Sequence, residues 1–287
     1  MERTPVAEAT SLLKRTFADY EQHKGPWLAA AIAYFTVFSI APLIIVIVEI
    51  AGFALGRHQP VLDEIYGYLQ STAGAGTATA IRDIVTSTFQ HRQASIATQI
   101  IGWVVFIIAT AGLVGSFKQA LNTVWNAEPP KHPVLTVLMN QAIAFAIVLV
   151  LATLAVLSLF VNAALAAATG ALATVSPLAP LIVHAISFFL SFIVIAGVFG
   201  LLFEVLPDTR VQWRDVWIGA VVTAFLFVAG QAVLGWYLGV AGVGSTFGIF
   251  GSLVIFLLWT NYSAQTVLVG AEFTHVYACT HGSHRAR

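Results

Sequence analysis

Residues 181–206 read LIVHAISFFLSFIVIAGVFGLLFEVL. This stretch decides the fold. Apart from His184, two serines and Glu204 it is apolar or glycine throughout. About 20 such residues, each adding 1.5 Å as a helix, cross the roughly 30 Å hydrocarbon core of a bilayer. Backbone groups in lipid have no water to bond, so a spanning segment must satisfy them as a helix or in a closed barrel. A barrel strand alternates polar and apolar residues over about ten positions. No such alternation is present, so the run reads as a transmembrane helix.

Five more runs of this kind flank it: Leu28–Leu55, Ile96–Phe117, Val134–Ala168, Val216–Val240 and Phe247–Tyr277. The third and sixth in chain order exceed the bilayer and should tilt or project from it. Composition agrees, with 59% hydrophobic and 9% charged residues, whereas soluble domains carry about 25% charged. So few charges cannot cover a water-facing surface. The expected fold is all-α, a polytopic membrane domain of six transmembrane helices over residues 27–278.

Three segments lie outside the spans. In residues 1–26, Val6, Ala9, Leu13, Phe17 and Tyr20 recur at helical spacing, which predicts an amphipathic helix on the membrane or against the bundle ends. Its polar, mixed-charge character does not resemble a cleaved signal peptide. Residues 57–94 form the one sizeable loop. Val61, Leu62, Ile65 and Leu69 suggest one amphipathic helix there, and Ile81, Ile84, Val85 and Phe89 another, with Ser71–Ala80 as a flexible joint. Residues 279–287 are a short tail. Pro129–Pro130, Pro177, Pro180 and Pro207 punctuate the boundaries.

Lysine and arginine set the orientation. Arg3, Lys14, Arg15, Lys24, Lys118, Lys131, Arg210, Arg214, Arg285 and Arg287 fall on one side of the six-span arrangement. Arg57, Arg82 and Arg92 fall on the other, all in the long loop. The positive-inside rule then places both termini in the cytoplasm and the 57–94 loop outside. The net charge is zero, so no global basic field attracts nucleic acid. The single cysteine, Cys279, excludes an intramolecular disulfide.

Ionisable residues in apolar runs are functional candidates because they are costly there. Glu49, Glu204 and Glu272 are the three carboxylates so placed. Each also falls near the end of its run, where a side chain reaches water cheaply. On the sixth run Asn261, Gln265, Glu272 and His275 share an arc of about 80° on a 100° wheel. Such a stripe must face the bundle interior or a wet cavity. It serves either as a polar path, with Glu272 as its titrating group, or as interhelical hydrogen bonding that holds the bundle together. His184, Ser187 and Ser191 share a face of the fourth span, where serine often bonds its own helix.

Glycines at small-xxx-small spacing, Gly52/Gly56, Gly235/Gly239 and Gly244/Gly248, allow close helix packing, and Pro42 should kink the first span. The dense glycines of 239–251 fit a tight outer hairpin or a broken helix. The tail residues His275, Cys279, His281 and His284 match no strong zinc pattern, so neither metal nor cofactor is expected. No phosphate loop, nucleophile elbow or HExxH is present, so no enzymatic activity is expected.

Four segments in order carry a resemblance: Ala33–Leu43 (AYFTVFSIAPL), Gly115–Trp125 (GSFKQALNTVW), Leu206–Ala220 (LPDTRVQWRDVWIGA) and Leu257–Ala278 (LLWTNYSAQTVLVGAEFTHVYA). From about Gly25 to Ala278 the chain resembles the YihY/BrkB family of bacterial inner-membrane proteins. The family's aromatic-Ser-x-x-Pro segment falls on Phe38, Ser39, Pro42 and Leu43, its Leu-Pro-Asp on Leu206, Pro207 and Asp208, and its Gly-Ala-Glu-Phe on Gly270, Ala271, Glu272 and Phe273. The resemblance implies six spans with cytoplasmic termini in the inner membrane. Some members bear the names virulence factor or ribonuclease BN, and nothing in these residues supports a nuclease. The expected function is a transporter or lipid-handling protein, with membrane lipids and a lipid or small solute as partners. A non-transporting envelope assembly protein is the alternative, and a ribonuclease comes last. The glycine pairs allow a homo-oligomer.

Overall fold

The computed structural model describes residues 5–39, 96–127, 179–209, 211–241 and 251–282, with scattered helical positions between 62 and 86 and between 139 and 161. Six helices are used below: α1 (Pro5–Gln22), α2 (Gly25–Ser39), α3 (Ile96–Val124), α4 (Ala179–Val205), α5 (Trp213–Ala241) and α6 (Gly251–Thr280). No strand occurs among the described residues. Pro42, Glu49, Gly52, Gly56, Gly244 and Gly248 lie outside the described residues, as do the 242–250 connection and most of the third apolar run.

Three helices, over Leu181–Val205, Trp213–Tyr237 and Leu253–Thr280, are long and apolar enough to cross a membrane. The chain is an all-α membrane protein. Its exposed surface fits lipid, with Leu181, Ile182, Phe188, Phe189 and Ile193 turned outward along α4. Exposed aromatics mark two levels on α5, Trp213 and Trp217 at its start and Trp236 and Tyr237 near its end. Trp217 and Trp236 lie about 28 Å apart along the helix at 1.5 Å per residue. That matches the spacing of the two aromatic belts at the edges of a hydrocarbon core about 30 Å thick.

α1 is amphipathic and carries all five residues, Val6, Ala9, Leu13, Phe17 and Tyr20, whose periodicity predicts it. Lys24, at φ 56°, breaks the helix and turns the chain into α2. In the 57–94 segment, helical positions appear at 62–63 and 66–67 and again at 82–83, with Arg82 over the Tyr66 ring at 4.7 Å. Residues 78–79, within the stretch expected to be a joint, are also helical, and Ala78 is buried.

α6 is the central element. It packs against α1, α3 and α5, and α4 packs on α5. One buried cluster joins Leu121, Trp125, Phe199, Phe203, Val216, Val267 and Ala271 across α3 to α6. Another joins Tyr20, Ile32, Ala120, Ala264 and Leu268 across α1, α2, α3 and α6. Lipid is as apolar as a side chain, so such helices associate through close packing rather than exclusion from water. The α5–α6 crossing shows how. Thr223 Oγ1 donates to Gly219 O and Thr274 Oγ1 to Gly270 O, both at 2.7 Å. Each threonine therefore satisfies its hydroxyl on its own helix. A methyl group at Gly219 would collide with Thr274, and one at Gly270 with Thr223. The two Gly-xxx-Thr pairs interlock reciprocally, and Tyr262 Oη adds a bond to Leu226 O at 3.0 Å.

Candidate functional site at the junction of the first and last helices

The end of α3 sets one wall of the junction. Ala127 N–H bonds Asn122 O and Asn126 N–H bonds Thr123 O, with Asn126 at φ 49°. This is a helix stop built on a left-handed residue, which asparagine tolerates. It leaves Asn122 and Lys118 facing the Leu206–Pro207–Asp208 turn. Asn122 Nδ2 donates to Asp208 Oδ2 at 2.9 Å, Asp208 N–H donates to Asn122 Oδ1 at 2.8 Å, and Lys118 Nζ pairs with Asp208 Oδ1 at 2.7 Å. Lys118 is buried, so it needs that carboxylate.

The charged connections gather at one end of the bundle. Glu8 Oε1 accepts from His281 Nε2 at 2.7 Å, which ties the start of α1 to the residue after α6. The Trp125 ring meets His275 edge-on at 5.1 Å, bringing the end of α3 to the same place. Both terminal segments and the Lys118 and Asp208 connections thus share one end, the grouping that the lysine and arginine count assigns to one side.

At this end, the last turn of α1 and the turn residue His23 just after it meet the polar stripe of α6. His23 Nδ1 and Glu272 Oε1 share a hydrogen bond at 2.7 Å across 249 positions of sequence. Glu272 is 1% exposed, and its Oε2 has no hydrogen-bond partner among the described residues. Asp19 lies one turn before His23, the two joined by the bond from His23 N–H to Asp19 O at 2.8 Å. Asp19, Glu272 and His275 each offer a ligand atom, and these atoms lie within 4.8 Å of one another. Removing His23 would leave the buried Glu272 carboxyl group without this hydrogen bond, a loss of about 1–3 kcal/mol.

The stripe divides into two stations. Gln265 Nε2 donates to Asn261 Oδ1 at 2.6 Å, so these two satisfy each other within α6. About 10 Å further along, at 1.5 Å per residue, Glu272 and His275 join Asp19 and His23 instead. Glu204 sits in the last turn of α4, with Oε2 buried and unpartnered among the described residues. Ser187 Oγ bonds Val183 O on its own helix at 2.8 Å. A methyl group at Gly235 would meet no described atom within 4 Å, and Gly239 lies in the last turn of α5. Asp19 and His23 were missed from sequence because they lie on a helix read only as amphipathic. Their i, i+4 spacing on its polar side is the one signal that marks them. Gly219/Thr223 and Gly270/Thr274 carry the small-xxx-small spacing with threonine in the second place.

The fold and junction define an α-helical membrane protein with an amphipathic amino-terminal helix docked on its last long apolar helix. The virulence factor BrkB family model matches residues 16–286, and the chain belongs to that family. Relatives include a UPF0761 membrane protein of Alkalilimnicola ehrlichii, 26% identical over 87% of this chain and 54% of its own length. A UPF0761 membrane protein of Pseudomonas aeruginosa is 29% identical over 86% of this chain and 58% of its own length. One of Legionella pneumophila is 28% identical over 89% of this chain and 59% of its own length. The chain thus spans a little over half the length of these relatives. No solved structure matches it.

Proposed function

We propose that this chain is a multi-pass protein of the bacterial inner membrane that moves or handles a lipid or small solute. In this reading residues 1–26 and 279–287 face the cytoplasm and the 57–94 loop faces outward. The observation that carries it is Glu272, a carboxylate 1% exposed on an apolar helix and held by a histidine from another helix. A contact needed only for packing could be made by apolar residues without the desolvation cost of a buried ionisable pair. A titratable pair at the mouth of a span instead offers two states, one with His23 on Glu272 and one with a substrate group in its place. A cationic headgroup, an ammonium solute or a proton has the chemistry to compete for that carboxylate.

An exposed apolar groove on α4 along Ile182, Ile186, Phe189 and Ile193 would take acyl chains within the hydrocarbon core. Membrane lipids and a second copy of the chain are the partners this reading names. It assigns no catalytic residue and no role to nucleic acid.

The test is reconstitution of the purified protein in liposomes with fluorescent lipid analogues or radiolabelled cationic solutes. Movement of one class, abolished in Glu272→Gln while folded protein is retained, supports the proposal. A wild-type protein that moves none of them, in cells whose phenotype depends on the 57–94 loop and not on Glu272, would replace it with an assembly role.

A further inference from the structure

The junction holds more ligand atoms than a histidine–carboxylate pair requires. Oε1 of Glu272 is engaged by His23, which leaves Oε2, buried and without a hydrogen-bond partner among the described residues, as the oxygen it can still offer. Asp19 and His275 bring a second carboxylate and an imidazole to the same place, with the three ligand atoms within 4.8 Å of one another. Ligands on one tetrahedral ion at bond lengths of about 2.0–2.2 Å lie about 3.3–3.6 Å apart. Side-chain shifts of about 1 Å would close the set.

We propose that Asp19, Glu272 and His275 bind a divalent transition-metal ion, Zn²⁺ or Mn²⁺, which clamps the amino-terminal helix to the last span. Two carboxylates this close repel each other, and a doubly charged ion removes that repulsion. A mixed set of imidazole nitrogen and carboxylate oxygen suits these ions. Glu272 and His275 form a Glu-x-x-His pair on one helix face, a spacing that places both side chains toward a single metal in helical bundles. His23 orients the ligating carboxylate from behind, as outer-shell partners of metal ligands do. The ligands come from two helices far apart in sequence, so the ion would hold α1 in place whether or not the protein transports anything.

The full chain, purified in detergent and stripped with EDTA, is titrated with ZnCl₂ and separately with MnCl₂, and retained metal is counted by mass spectrometry. The expected result is one ion per chain. Asp19→Asn combined with His275→Gln abolishes retention, and His23→Ala weakens it by about 10- to 100-fold. His281→Gln with His284→Gln, both beyond α6 in sequence, leaves it unchanged. If the Asp19 and His275 variant does not fold, Co²⁺ loaded into the wild type and into the His281 and His284 variant decides. A visible absorption band in both, displaced by one equivalent of Zn²⁺, supports the site. No metal retained by the wild type overturns it. So does retention that survives loss of Asp19 and His275, or that disappears with His281 and His284.

Discussion

Gly219→Ala tests the packing of α5 on α6 through its sign. In an isolated helix the change would stabilise by about 1 kcal/mol, because alanine loses less backbone freedom than glycine. Here the new methyl would overlap Thr274 Oγ1 and sit 2.7 Å from its Cβ and 3.0 Å from its Cγ2. Carbon atoms rest at about 3.5–4.0 Å, so the helices must part by about 1 Å at this point. Thr274 cannot rotate away at no cost, since its hydroxyl bonds Gly270 O at 2.7 Å. The reciprocal contact of Gly270 with Thr223 lies one turn away and opens with it. Overpacking of this kind costs about 1–3 kcal/mol. Set against the propensity gain of about 1 kcal/mol, the net loss is up to about 2 kcal/mol.

Gly235→Ala is the control, because a methyl there meets no described atom within 4 Å. It should stabilise by up to about 1 kcal/mol. The assay is equilibrium unfolding by SDS in mixed micelles, followed by tryptophan fluorescence. If Gly219→Ala stabilises as much as Gly235→Ala, the interlocked crossing is wrong.

Two further outcomes follow from the junction. Asp208→Ala should destabilise more than Lys118→Met in the same assay, by about 1–3 kcal/mol. The first leaves a buried ammonium alone, whereas the second removes the charge and keeps the packing; equal effects would contradict the pairing. Burial raises the Tyr20 hydroxyl above its ordinary pKa of 10.0, so the unfolded chain loses that proton first. The stability this group contributes is therefore full below pH 10 and falls as pH rises through the raised folded value. Tyr20→Phe should remove that alkaline slope and cost little at pH 7, since the hydroxyl has no hydrogen-bond partner among the described residues. A slope unchanged in the variant would place its origin elsewhere.

The sequence reading reached the membrane class because lipid imposes a simple rule, visible in runs such as 181–206. The charge grouping was legible for a similar reason. Lysine and arginine are costly in lipid and collect at the ends of spans, and the structure brings Lys118, Asp208 and both terminal segments to one end. The α6 stripe was legible as a helical face, but its division was not. Asn261 and Gln265 bond each other, a local choice of rotamer, whereas Glu272 finds a partner 249 positions away. Periodicity carries no information about such pairings. The same limit explains why Asp19 and His23 went unmarked. On an amphipathic helix, polar residues are expected to face water, and only the docking of α1 turns these two inward. The glycines were judged by GxxxG spacing, while the crossing uses glycine against threonine, whose hydroxyl folds back onto its own helix.

The most direct test of the central claim is the thermal stability of the purified protein against a panel of lipids and cationic solutes, wild type beside Glu272→Gln. A ligand of the folded state stabilises it by about 2.7 kcal/mol at 100 times its dissociation constant. The account predicts that one chemical class raises the melting temperature of the wild type and leaves Glu272→Gln unmoved. If no lipid or solute shifts the wild type, or if the shift is the same without the carboxylate, Glu272 is not the site at which this protein meets its substrate.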